Sequence, residues 1–83
     1  MTKNFTIENV KSGDILIAHN DDGTLAHSWL VLSNNEREGD LTDFVEVYVM
    51  YSQSYLESKY SFFYSSFKSD VFQKMNWSLQ HVS

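Results

Sequence analysis

Two histidines on either side of a short acidic turn are the residues whose types and spacing could do chemistry in this chain. His19 and His27 flank Asp21-Asp22-Gly23. Across a hairpin with a two-residue turn they would sit one position off direct pairing, near enough for a diagonal approach. Asp21 or Asp22 could then supply the third ligand that a metal site needs. His27 is also followed by Ser28, and an imidazole titrates near neutrality, so this pair offers acid–base chemistry. Both patterns weigh less than the ordinary alternative, strand histidines whose ring nitrogens are hydrogen-bonded. No two carboxylates have a spacing that dictates acid and base roles. The sequence therefore assigns no catalytic residue, no metal site and no cofactor.

The acidic residues point to binding instead. Asp21, Asp22, Glu36, Glu38, Asp40 and Asp43 gather in two polar segments, 19–24 and 34–43. Placed at the same end of a sheet, six carboxylates would form one negative field that steers a basic partner and imitates a phosphate backbone. The partner expected on that ground is a protein with a basic surface, such as a nuclease or another nucleic-acid enzyme. The chain would act as its inhibitor or interaction module, in the manner of small acidic proteins of mobile elements. Solubility alone is the simpler account of the same charges. Direct binding to nucleic acid is disfavoured by the net charge of −5, because that binding relies on clustered Lys and Arg.

These residues need a scaffold, and 83 residues are enough for one domain with a single core. Its character changes near Tyr51. Residues 1–52 form a β-rich acidic part, and residues 53–83 an aromatic part expected to be helical. The run Asp14 to His19, the Asp22-Gly23 turn and the run Leu25 to Ser33 read as a β-hairpin, since glycine tolerates the positive φ of a type I′ turn. The returning strand puts His27, Trp29 and Val31 on one face and Ser28, Leu30 and Leu32 on the other. Thr42 to Ser52 alternates with Val45, Val47, Val49 and Tyr51 on one side, the clearest strand in the chain. Phe5 to Ile7 could add a short first strand.

Beyond Tyr51, Ser54 and Glu57 fit a helix capping box, and Leu56, Tyr60, Phe63, Tyr64 and Phe67 recur at helical spacing. Ser69-Asp70 could end that helix and cap a second, so one long helix and two short ones both stay open. Phe62, Phe72 and Trp77 fall off the aromatic stripe and are expected to leave apolar surface for a partner or a homodimer. The chain has no cysteine, which removes disulfides and thiolate metal sites and fits a reducing compartment. It has no apolar run long enough for a membrane span and no apolar segment after its first residues, so a cytoplasmic protein without a membrane contact is expected.

A resemblance supports the β-rich half. Gly13-Asp14-Ile15-Leu16, then Trp29-Leu30-Val31-Leu32-Ser33, then Val45-Glu46-Val47-Tyr48-Val49 resemble the opening half of the PemK-like (MazF-type) toxin endoribonucleases over residues 10–52. The resemblance implies a partial SH3-like barrel and, as the alternative function, a diverged endoribonuclease or its inactive relic. The family's Arg-Pro pair before the returning strand is replaced here by His27-Ser28, so its catalytic arginine is absent. Its Thr-Ser pair has only Tyr51-Ser52 as a counterpart. The expected fold is thus α+β: a small antiparallel sheet of three to five strands packed by a C-terminal aromatic helix or helix pair.

Overall fold

The computed structural model describes residues 6–80. A single 3-10 turn at Ile7–Asn9 leads into β1 (Ile15–His19), β2 (Leu25–Asn35), β3 (Phe44–Ser52) and β4 (Ser58–Phe63). Two four-residue helices, α1 (Tyr64–Phe67) and α2 (Asp70–Gln73), then bring the chain to β5 (Asn76–Gln80). All five strands form one antiparallel sheet in the order β4-β3-β2-β1-β5, so the last strand returns beside the first. This is a small α+β domain in which the sheet dominates. None of the helices among the described residues is long and apolar enough to cross a membrane.

The expected hairpin is present, with a different turn. Asn20 N–H donates to the Thr24 carbonyl (2.8 Å) and Gly23 N–H to the Asn20 carbonyl (2.9 Å), which closes a three-residue loop rather than a two-residue one. Gly23 takes φ +90°, the left-handed geometry such loops require after their turn. Asp22 fixes the loop by accepting hydrogen bonds from the Thr24 N–H and hydroxyl.

Alternation decides which face is core. In β3, Val45, Val47 and Val49 are fully buried, as their spacing predicts, while Phe44, Glu46 and Tyr48 are half-buried on the other side. In β2 the buried set is Ala26, His27, Trp29 and Val31. Tyr51, expected with the valines, is instead exposed, because the register slips between Ser28 and Trp29 opposite it. In β1, Leu16 and Ala18 face inward, leaving Ile15 and Ile17 half-exposed. Each fully buried aliphatic side chain of this size contributes roughly 1.5–3 kcal/mol through the hydrophobic effect.

The second half departs most from expectation. Tyr60 and Phe62 pack on the core from β4, and Lys59, Ser61 and Phe63 turn outward, a period of two rather than 3.6. The Ser54–Glu57 box caps no helix: Ser54 N–H donates to Ser52 Oγ, and Glu57 accepts the Tyr48 hydroxyl at 2.5 Å. Aromatic residues suit a pleated, half-buried surface, and pairing with β3 outweighs helix spacing that no neighbour would cover. Only Ser69 behaves as expected, since its Oγ accepts Phe72 N–H and caps α2. The expected strand at Phe5 to Ile7 is not seen in its described part, where Ile7 begins the 3-10 turn, and Phe5 lies outside the described residues.

The sheet is strongly coiled. Phe62 of β4 and Trp77 of β5, from opposite edges, both reach Trp29 of central β2, at ring-centroid distances of 4.7 and 5.2 Å. Phe67 and Phe72 of the short helices close over the same indole. At the other end of β2, Asn34 ties three segments together. Its Nδ2 donates to the Ile7 and Val10 carbonyls, and its Oδ1 accepts the hydroxyl of fully buried Tyr64.

Candidate functional site

The topology separates the two acidic segments. One lies before β2 and the other after it, so the eleven residues of that strand, spanning roughly 35 Å, stand between them. The six carboxylates expected in one field therefore form two poles at opposite ends of the sheet. Asp21 and Asp22, both exposed, make up the first. Glu36, Glu38 and Asp40, also exposed, make up the second, with Arg37 among them.

Asp43 is not a surface residue. It is 3% exposed, and its carboxylate accepts the N–H groups of Glu38 (3.2 Å), Gly39 (2.6 Å) and Asp40 (3.2 Å), folding the loop around itself. Burial pushes its pKa up, but the backbone donors from Glu38, Arg37, Gly39 and Asp40 outweigh that and hold it below the ordinary carboxylate value. It shapes the loop that presents the other acids.

The second pole holds more carboxylates, with Arg37 and Lys68 beside them. Burial raises the pKa of the Tyr64 hydroxyl, and the charges of Glu36, Asp43 and Glu8 raise it further while its bond to Asn34 opposes them. Three carboxylates therefore act together at this end of the molecule. The one ion pair among the described residues is here too, Lys68 to Glu8 at 3.2 Å, and is partly exposed. Glu36 and Glu38 lie outside it.

At the other end of β2 the interior opens into a cleft of about 350 Å³. Its walls include His27, Trp29, Phe62, Phe67, Phe72 and Trp77. The three aromatics expected to project outward, Phe62, Phe72 and Trp77, are thus core and cleft residues; Trp77 is 5% exposed. The reason is the same change from helix to strand, which turns Phe62 inward, and the return of β5 beside β1, which does so for Trp77. The exposed apolar side chains are others, led by Leu56, Phe63 and Leu41.

His27 and Ser52 meet at the cleft. His27 pairs with Ser52 across β2 and β3, and its Nδ1 lies 2.7 Å from Ser52 Oγ. Ser52 Oγ also accepts the backbone N–H groups of Ser54 and Tyr55, each at 3.0 Å. Burial lowers the His27 pKa, which favours the neutral ring. The two histidines do not pair: Ala18, not His19, opposes His27, so successive residues 18 and 19 face opposite sides of the sheet. Among the described residues no three His, Asp or Glu side chains come together as metal ligands.

Sequence reasoning missed the cleft as a unit and the role of Trp29. The indole of Trp29 is 3% exposed, and its Nε1–H has no hydrogen-bond acceptor in the protein. Trp77 Nε1, by contrast, donates to the Phe72 carbonyl at 3.0 Å. The alternation of β2 marked Trp29 as inward-facing but carried no sign of its missing acceptor. Compared with known proteins, the chain matches no family model, no curated protein and no solved structure.

Proposed function

We propose that the chain is a small acidic binding module that occupies the basic, nucleic-acid-binding surface of a partner protein, with the loop of residues 36–43 as its contact. The observation that carries this reading is the charge on that loop: Glu36, Glu38 and Asp40 exposed on a backbone held in shape by Asp43. A rigid loop loses little entropy on binding, and its charges steer a basic partner. The partner class is a nuclease or another nucleic-acid enzyme, and the mode is mimicry of phosphates. We also read the scaffold as a partial SH3-like barrel, which the strand order and the meeting of Phe62 and Trp77 over Trp29 support. A second copy of the chain is the other partner to test, through Leu56, Phe63 and Leu41 rather than through the cleft aromatics. The test of the proposal is competition. A partner captured from the native host should release the protein when duplex DNA or RNA is added; capture indifferent to either nucleic acid contradicts mimicry.

One observation favours a second reading, a diverged PemK-like ribonuclease. The fold brings His27 against Ser52, the counterpart of part of that family's site. It ranks second because no Lys or Arg lines the cleft, so nothing there would stabilise charge on a scissile phosphate. Cleavage of single-stranded RNA that disappears in His27→Ala would reverse the ranking.

A further inference from the structure

A hydroxyl has one hydrogen to give and two lone pairs with which to accept, and Ser52 Oγ uses all three. Its lone pairs take the Ser54 and Tyr55 amides at 3.0 Å each, so its hydrogen goes to His27 Nδ1 at 2.7 Å. A proton added to Nδ1 would turn that ring nitrogen into a donor. The serine oxygen would then face three donors with two lone pairs, and one of the three must leave. The ring is the least free to do so. It is 5% exposed, stacks on Trp77 with 8° between planes and packs on Trp29 at 5.3 Å. Its surroundings offer an imidazolium no counter-charge. Ala18 faces it from β1, Ser52 from β3 and Trp77 from β5, while β4 and the two helices bring Phe62, Phe67 and Phe72 to the same cleft. The cleft lining contains no Asp, Glu, Lys or Arg, and Tyr55 is the one other titratable side chain in it. His19, next to Ala18, lies on the opposite face of the sheet. Burial is thus what favours the neutral ring.

The segment that would move is short. Before it, the Gln53 N–H is bonded to the Ala26 carbonyl; after it, the Tyr60 hydroxyl holds the Leu56 carbonyl and the Tyr48 hydroxyl holds Glu57. Between these anchors Ser54 and Tyr55 rest on Ser52 Oγ, and the Tyr55 ring covers part of the aromatic core, with Trp29, Tyr60 and Phe62 at 6.0, 5.4 and 5.3 Å. We propose that Ser54 and Tyr55 form a proton-gated lid: neutral His27 latches it through Ser52, and protonated His27 releases an amide and lets Tyr55 swing off Trp29 and Phe62. The lid is closed near neutrality and opens as pH falls through the His27 titration.

Nuclear magnetic resonance of the protein from about pH 7.5 to about pH 5, across the ordinary histidine range, tests this. The ring signals of His27, assigned by their loss in His27→Gln, give the titration midpoint. Over the same midpoint the hydrogen-exchange protection factor of the Ser54 or Tyr55 amide should fall roughly fivefold, the net worth of one hydrogen bond. The ring-to-ring Overhauser contacts of Tyr55 with Trp29 and Phe62 should weaken in step, while protection of the core amide of Val47 stays constant. In His27→Gln the two amides should show no pH dependence. In Ser52→Ala they should be poorly protected at every pH although the ring still titrates; where that variant does not fold, the coincidence of midpoints in the wild type decides. The proposal is overturned by amides that keep their protection through the His27 titration, by a change centred at another pH, or by loss of Val47 protection at the same midpoint, which would make the event global unfolding.

Discussion

Ser52 Oγ donates its proton to His27 Nδ1 across 2.7 Å. The serine oxygen already accepts two backbone N–H bonds, from Ser54 and Tyr55, and its own hydrogen is the one left for the imidazole. This places the ring's hydrogen on Nε2 and makes neutral His27 the form the fold requires. It also ties the end of β2 to the segment that follows β3. The serine is thereby committed to holding a turn.

The pH dependence of stability follows. Burial depresses the His27 pKa, so the unfolded chain binds a proton before the folded one does, and stability present above the unfolded value of about 6.5 is lost as pH falls toward the folded value. Thermal melts should show a falling midpoint from pH 7.5 to 5.5. The slope should be largely absent in His27→Gln, and an unchanged slope in that variant would refute the assignment.

Asp43 should set a second, more acidic transition. Its folded pKa is held below the ordinary carboxylate value, so its contribution is complete above about pH 4 and lost as pH drops through the folded value. Asp43→Ala should lower the melting midpoint at pH 7 by several degrees and loosen the loop, because three backbone donors of the loop lose their shared acceptor. Amide exchange at Glu38, Gly39 and Asp40 should accelerate in that variant. Exchange as slow as in wild type would count against Asp43 as the organiser.

Core and outer faces should answer differently to charge. Val47 is fully buried, and Val47→Asp would bury an unpaired carboxylate at a cost above about 4 kcal/mol, comparable with the whole stability of a small domain. Ile17 lies half-exposed on the other face, and Ile17→Asp should fold. Circular dichroism of both variants checks this, and an unfolded Ile17→Asp beside a folded Val47→Asp would invert the assignment of faces.

Much of the sheet was legible from residues 14 to 52 because alternation and the Asp22-Gly23 turn are local signals. The aromatic half was not. Leu56, Tyr60, Phe63, Tyr64 and Phe67 fit a helix, while Tyr60 and Phe62 fit a strand equally well, and the choice was made by β3 offering an edge to pair with. The same limit hid the site. The acids of residues 21–22 and 36–40 read as one group until β2 proved to run its full length between them, and the surface role given to Asp43 ignored backbone donors that only the folded loop presents.

RNA provides a separate check on function. With no cationic side chain lining the cleft and Ser52 committed to its turn, purified protein should leave single-stranded RNA intact over hours. Electrophoresis of labelled RNA reads this out, and cleavage sensitive to His27→Ala is the opposing result.

The most direct measurement of the central claim is the association rate with the captured partner, at low and high salt, for three proteins: wild type, Glu36→Gln/Glu38→Gln/Asp40→Asn, and Asp21→Asn/Asp22→Asn. Screening shortens as salt rises, with a Debye length of roughly 8 Å at physiological ionic strength and 3 Å at 1 M. The wild-type rate should fall with salt by tenfold or more. The loop variant should associate slowly at every salt concentration while keeping the wild-type melting midpoint, and the turn variant should behave as wild type. Equal rates for all three, unchanged by salt, would contradict an acidic loop as the binding surface.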